Sequence, residues 1–214
     1  MGEARMREFE FQSSGVALHG VEGPASGPPL LLLHGLFDRW QTLEPVVDEF
    51  RRRWRVTSLD MRGHGRSGRA KGKYLPEHYF RDTAEYLCAR FDQPAANFGH
   101  SAGRLAARRC AAEYPDRVRA VINGDLFCSS KRLAALIRHP QSVAFYREAK
   151  TLASQPIERI LSSELANSIP EAGRTTWAEA LNQLDPETMS YHARGAGDAY
   201  VESVDVGGIL TRIG

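Results

Sequence analysis

Leu30-Leu31-Leu32-Leu33 is an unbroken aliphatic run, set between the loop Gly23-Pro24-Ala25-Ser26-Gly27-Pro28-Pro29 and His34-Gly35. A strand with one wet face alternates polar and apolar residues, so a run without alternation must be covered on both faces. Four residues are far too few to cross a bilayer, and the run does not sit where a signal peptide would carry its apolar core. The chain must therefore build a sheet lying between two layers of other structure.

The rest of the sequence supplies those layers. Residues 55–59, 95–98 and 118–122 read as three more short buried strands. Between them the period changes to helical: Leu43, Val46, Val47 and Phe50 space a helix over 42–53, and 76–91 carries a broad apolar face opened by Pro76. Residues 102–114 form a third helix, stopped by Pro115. Strands alternating with helices predict an α/β fold with a doubly wound, mostly parallel sheet. Ahead of it, residues 7–12 and 16–23 alternate around Ser13-Ser14-Gly15 and predict an N-terminal antiparallel hairpin. After Asp125 only helical segments remain, at 133–138, 142–153, 157–166, 175–184 and 186–194, forming either an inserted cap or a second small domain. The expected division is a core over 1–126, a helical segment over 127–198 and a return toward the core over 199–214.

Charge and cysteine usage narrow the partners. With 28 Lys+Arg against 26 Asp+Glu the net charge is +2, which gives no basis for nucleic-acid binding. Arg51-Arg52-Arg53-Trp54-Arg55 reads as a solvated helix C-terminus, where positive charge suits the helix dipole. Cys88, Cys110 and Cys128 form no C-x-x-C pair and read as reduced thiols of a cytoplasmic protein. No membrane association, metal or organic cofactor is expected.

Chemistry concentrates at Gly99-His100-Ser101-Ala102-Gly103, a G-x-S-x-G sequence with a strand before it and a helix after it. That context puts Ser101 at the tip of a sharp turn as a candidate nucleophile. Side chains at 99 and 103 would clash across the turn, and the Ala102 N–H at the helix N-terminus can donate to an oxyanion. The loop after Leu33-His34-Gly35 can present the Leu36 N–H as a second donor. His34 itself reads as a hydrogen-bonded structural residue. A third motif, Asp60-Met61-Arg62-Gly63-His64-Gly65-Arg66-Ser67-Gly68, contains G-x-G-x-x-G. A dinucleotide fingerprint needs its helix to open within the glycines, whereas helical spacing here starts only at Pro76, so a structural loop is expected.

Leu-His-Gly at 33–35, Asp-x-Arg-Gly-His-Gly-x-Ser at 60–67, Gly-His-Ser-x-Gly at 99–103 and Tyr-Pro-Asp-Arg-Val at 114–118, in this order, resemble the serine α/β-hydrolases of the esterase, lipase and C–C hydrolase superfamily. The resemblance runs from residue 7 to about 125. It implies a helical cap inserted after the strand at 118–122 and hydrolysis of an ester-like or C–C bond in a small acyl substrate through an acyl-enzyme on Ser101. Leu36 and Ala102 would line the oxyanion hole. A serine at this position argues against the branches that attack with aspartate, the haloalkane dehalogenases and epoxide hydrolases.

The same resemblance exposes departures. A serine needs a histidine base and an acid behind it, in the order Ser, acid, His. Asp125 is the acid candidate, with capping of the following segment as its structural alternative. His139 and His192 are the histidines after Ser101, and both fall in the helical segment; His100 reads as structural. The base is therefore expected from beyond residue 214 or from a second chain, the C-terminal strands of the sheet are expected to be missing, and self-association or a complementing chain follows as a partner. A non-catalytic binding scaffold and an inactive fragment of a longer hydrolase are the alternatives. Arg104 and Arg108 stand where the superfamily has small or apolar residues, and snorkelling of both to water is the expected resolution.

Overall fold

The chain was analysed as a computed structural model that describes residues 6–24, 26–124 and 130–198. Strand β1 (Arg7–Ser13) turns back into β2 (Val16–Glu22) through Ser14 and Gly15, whose φ angles of 45° and 80° make the two-residue turn that matches strand twist. Four further strands follow: β3 (Pro29–Leu33), β4 (Arg55–Leu59), β5 (Ala95–Gly99) and β6 (Val118–Asn123). Their order is β1-β2-β4-β3-β5-β6. β2 pairs antiparallel with both β1 and β4, and the pairs from β4 through β3 and β5 to β6 are parallel.

The four leucines account for the centre of this sheet. Leu31 and Leu33 point into a cluster with Tyr86, Leu87, Ala106 and Ala107, while Leu30 and Leu32 point into another with Leu43, Val47 and Val56. The first cluster is covered by α2 (Pro76–Arg90) and α3 (Ala102–Glu113), and the second by α1 (Glu44–Phe50). The sheet is thus covered on both faces, as the unbroken run requires. The helix expected over 42–53 is shorter: Trp40–Leu43 forms a 3-10 turn, and the α-helix starts at Glu44, where Pro45 suits the first turn because it has no N–H to leave unsatisfied.

Residues after β6 are helical: α4 (Ser130–Arg138), α5 (Pro140–Leu152), α6 (Ile157–Leu161), α7 (Glu164–Asn167), α8 (Glu171–Gln183) and α9 (Ser190–Ala193), the last preceded by a 3-10 turn at Pro186–Met189. The single helix expected over 157–166 is two, because Ser163 Oγ accepts the Ala166 N–H at 3.1 Å and caps a new start. These helices bury Ala149, Ile160, Leu181 and Met189 in a cluster of their own, which Leu36 and Phe37 join from the core. Arg39 pairs with Glu179, Tyr74 Oη donates to Asp185 at 2.5 Å, and the Asp185 N–H donates to the Gly63 carbonyl at 2.7 Å. Among the described residues no helix is long and apolar enough to cross a membrane.

The snorkelling expected of Arg104 and Arg108 is not observed. Each is only 6% exposed. A Cβ on Gly99 would lie 2.4 Å from Arg104 Cα, so this part of α3 sits directly over β5. Both residues are engaged in interactions, so neither is an orphan charge. At the sheet's end β6 is largely exposed, and among the described residues no strand pairs with its outer edge. Asp125, Cys128 and the return segment 199–214 lie outside the described residues.

Candidate active site

β5 stops at Gly99 and α3 starts at Ala102, so two residues must reverse the chain. Ser101 takes φ 47° and ψ −113°, a region that costs a non-glycine residue about 1–3 kcal/mol. The surrounding hydrogen bonds hold it there: His100 N–H donates to the Leu33 carbonyl at 2.9 Å, Gly103 N–H to the His100 carbonyl at 2.9 Å, and Arg104 N–H to the Ser101 carbonyl at 3.3 Å. The result is an exposed serine at a helix N-terminus.

The two glycines serve different ends. A Cβ at Gly99 would strike the Arg104 backbone across the turn, as expected from sequence. A Cβ at Gly103 would instead lie 2.4 Å from the Leu33 carbonyl oxygen and 2.6 Å from that of His34. Gly103 is therefore required by the approach of α3 to the end of β3, a contact between elements far apart in sequence, and not by the turn.

That contact brings the loop after β3 beside the serine. A Cβ at Gly35 would sit 3.0 Å from Ser101 Cβ. His34 is fully buried and its ring is fixed at both nitrogens: Nε2 accepts the Met61 N–H at 2.9 Å, so Nδ1 carries the proton and donates to the Gly35 carbonyl at 2.7 Å. The Gly35 carbonyl and the Leu36 N–H belong to one peptide plane. Holding the oxygen from one side fixes the direction of the amide on the other. Neither the Leu36 nor the Ala102 amide donates to another described residue. The loop that carries Leu36 therefore lies beside Ser101 through Gly35, and Ala102 follows the serine at the start of α3, while Asp125 lies outside the described residues.

Sequence reasoning missed Asp38 and Phe37. Asp38 Oδ2 lies 3.3 Å from His100 Nδ1, so His100 is held by a carboxylate next to Ser101. Phe37, at φ 69°, stacks on Tyr146 at 5.6 Å and meets Phe145 edge-on at 5.5 Å. The available signal was position alone: both follow Leu-His-Gly at the C-terminal end of a parallel strand, where α/β sheets place their sites. Beside them a cavity of about 600 Å³ opens between the core and α8, lined by Asp38, Thr42, Asp48, Thr176 and Trp177 among others.

The other histidines are committed elsewhere. His139 is exposed and caps α5 by accepting the Gln141 N–H at 3.3 Å. His192 is buried against the Tyr146 ring at 4.6 Å, and burial pushes its pKa down to about 4. Burial likewise pushes His64 down to about 3, with the neighbouring His34 adding to the effect; its Nδ1 donates to the Arg62 carbonyl at 2.9 Å. His78 Nδ1 accepts the Leu75 N–H at the start of α2, and His19 Nδ1 lies 2.8 Å from Asp60.

The glycine-rich motif is a structural loop. Asp60 accepts from the amides of Trp40 at 2.7 Å and Arg66 at 3.1 Å as well as from His19. It is fully buried; desolvation raises its pKa, but these hydrogen bonds outweigh that and hold it below the usual carboxylate range. Gly65, at φ 51°, stands where a Cβ would lie 2.5 Å from the Asp60 carboxyl. Arg62 is buried in a double hydrogen bond to Asp82, both at 2.6 Å. No helix begins within the glycines, and the dinucleotide reading falls. Among the described residues no group of three or more His, Cys, Asp or Glu side chains could hold a metal ion.

A strained serine between a parallel strand and a helix, facing a glycine loop from the neighbouring strand, is the central feature of the α/β-hydrolase fold, and the chain belongs to that family: residues 28–193 match it. Over 102 residues it is 32% identical to 2-(acetamidomethylene)succinate hydrolase of Mesorhizobium japonicum, covering 48% of this chain and 37% of that protein. Over 174 residues it is 25% identical to (E)-2-((N-methylformamido)methylene)succinate hydrolase of Acinetobacter baylyi, covering 80% and 65%. The chain therefore spans between about a third and two thirds of these relatives' lengths. A solved structure of E-2-(acetamidomethylene)succinate hydrolase superposes with a TM-score of 0.70 at 23% identity, over 94% of this chain and 78% of that one, and shows the shared fold.

Proposed function

We propose that the chain carries the nucleophile and oxyanion hole of a serine hydrolase that cleaves an ester-like or C–C bond in a small acyl substrate. The observation that carries this reading is the strained, exposed Ser101 at the start of α3 with Gly35 of the neighbouring loop packed beside it. Attack of Ser101 Oγ on the substrate carbonyl forms a C–O bond and places negative charge on the carbonyl oxygen, which the two amides stabilise without having to reorganise. The Ser101 proton passes to the base and on to the leaving group as collapse leaves an acyl-serine; water, deprotonated by the same base, attacks that ester, and the proton returned to Ser101 Oγ regenerates the hydroxyl as the acid leaves.

The helices from α4 onward act in this reading as a cap, with Phe37, Phe145 and Tyr146 as an apolar wall near the oxyanion loop. The relatives named as hydrolases of substituted methylenesuccinates support a small acyl substrate. The base is a histidine from outside the 214 residues, in a longer polypeptide or a second chain. Support comes from His34, His64, His78 and His139, each tied to a backbone group, and from His192, buried against an aromatic ring. A cytoplasmic location, without membrane or nucleic-acid partners, belongs to the same proposal.

A fluorophosphonate probe tests the reading, with imidazole added as a diffusible base. Ser101 should be modified in an imidazole-dependent manner and Ser101→Ala should not react. A binding scaffold would stay unmodified at both imidazole levels.

A further inference from the structure

At the opposite end of the sheet from Ser101, a cavity of about 420 Å³ is lined by three arginines, Arg7, Arg55 and Arg90, with Glu22, Tyr86 and Phe91. Arg55 opens β4, while Ser101 follows the far end of the parallel strand β5, so about 16 Å of strand separates the two. The cavity is no part of the site already described.

Two of the guanidiniums lie over aromatic rings. Arg55 Cζ lies 5.3 Å from the Phe91 centroid, and Arg90 Cζ lies 5.3 Å from that of Phe9 and 6.0 Å from that of Tyr86. A guanidinium packed over a ring has already lost part of the rotamer freedom that binding would otherwise cost, and its N–H edges remain for an acceptor. The acceptors present do not use these edges fully. Glu22 is committed to Arg7 through Nε at 3.1 Å and through Nη2, and reaches Arg90 only at 3.7 Å. Arg55 touches Asp92, which is 81% exposed, and its Nε is buried with no hydrogen-bond partner. A buried guanidinium N–H without an acceptor is costly, and an oxyanion is the group that satisfies it.

We propose that this cavity binds a small oxyanion, the carboxylate or phosphate head of a small molecule, between Arg55 and Arg90 and independently of Ser101. The bound head accepts from Arg55 Nε and from the Arg90 fork, with Glu22 as the competing carboxylate.

The test is calorimetric titration of the 214-residue chain with inorganic phosphate and, in a parallel arm, with benzoate, both at constant ionic strength. Saturable 1:1 binding is expected in at least one arm, and the stronger arm identifies the head group. Arg90→Gln should weaken it about tenfold, as loss of a charge-assisted pair does. Glu22→Gln should tighten it about threefold by removing the competing carboxylate. Ser101→Ala should leave it unchanged. Arg55→Gln is the direct variant, but Arg90 is the more exposed of the two arginines, and Arg90→Gln keeps the test open if Arg55→Gln fails to fold. Absence of saturation in both arms, or equal affinity in wild type, Arg90→Gln and Glu22→Gln with unchanged circular dichroism, overturns the proposal.

Discussion

Adding one methyl group at Gly103 should unfold a good part of the molecule's margin of stability. The Cβ of Gly103→Ala would lie 2.4 Å from the Leu33 carbonyl oxygen and 2.6 Å from that of His34, and backbone atoms cannot rotate away as a side chain can. α3 and the end of β3 must separate by several tenths of an ångström. The Leu33 carbonyl also accepts the His100 N–H at 2.9 Å, so the same movement weakens the bond that closes the serine turn. Overpacking of this kind costs about 1–3 kcal/mol and the strained hydrogen bond about 1 kcal/mol, while alanine in place of glycine in a helix returns about 1 kcal/mol. The net expectation is a loss of about 1–3 kcal/mol. Gly173→Ala is the internal control, because that glycine lies in α8 with nothing within 4 Å of the added carbon. It should stabilise by about 0.5–1 kcal/mol. Urea unfolding followed by circular dichroism measures both. A Gly103→Ala variant within 0.5 kcal/mol of wild type would refute the claim that α3 is pressed against β3.

Two further effects follow from buried groups. His64 and His192 have folded pKa values pushed down to about 3 and about 4, while an unfolded histidine titrates near 6.5. Above pH 6.5 both are neutral in either state. As pH falls, only the unfolded chain takes up the protons, so stability drops, by about 2 kcal/mol per histidine at pH 5. Thermal melts between pH 7 and 5 should show this fall, and His192→Asn should remove about half of it; a flat profile would count against burial of the two rings. Arg62→Met strands the Asp82 carboxylate, leaving it the Ser13 hydroxyl at 2.6 Å, and should cost about 3–5 kcal/mol in urea unfolding. A cost below 1 kcal/mol would show that the pair is not buried as described.

Legibility in the sequence followed the range of the interactions. The Leu30–Leu33 run could be read because burial on both faces is written into consecutive residues, and the serine turn because the period changes from strand to helix on either side of it. Ser163 was harder: a serine inside a helical pattern looks tolerable until its Oγ is seen capping the next turn. The reason for Gly103 was misassigned because its clash is with residues 33 and 34, some 70 positions away. Burial of Arg104 and Arg108 was missed for the same reason, since the path of α3 over β5 is set by packing. Asp38 and Phe37 carry no motif of their own. They matter because a glycine loop brings them beside His100 and under Tyr146. The site's frame was therefore written locally, while its lining depends on contacts between distant segments.

The central proposal is that Ser101 is a presented nucleophile served by the Leu36 and Ala102 amides as its oxyanion hole. The most direct measurement is peptide mapping by mass spectrometry after fluorophosphonate treatment of the folded 214-residue chain, with and without imidazole. The account predicts a single major adduct on Ser101, formed faster as imidazole rises and absent from Ser101→Ala. An unmodified Ser101 at high imidazole, in protein that still melts cooperatively, would contradict it.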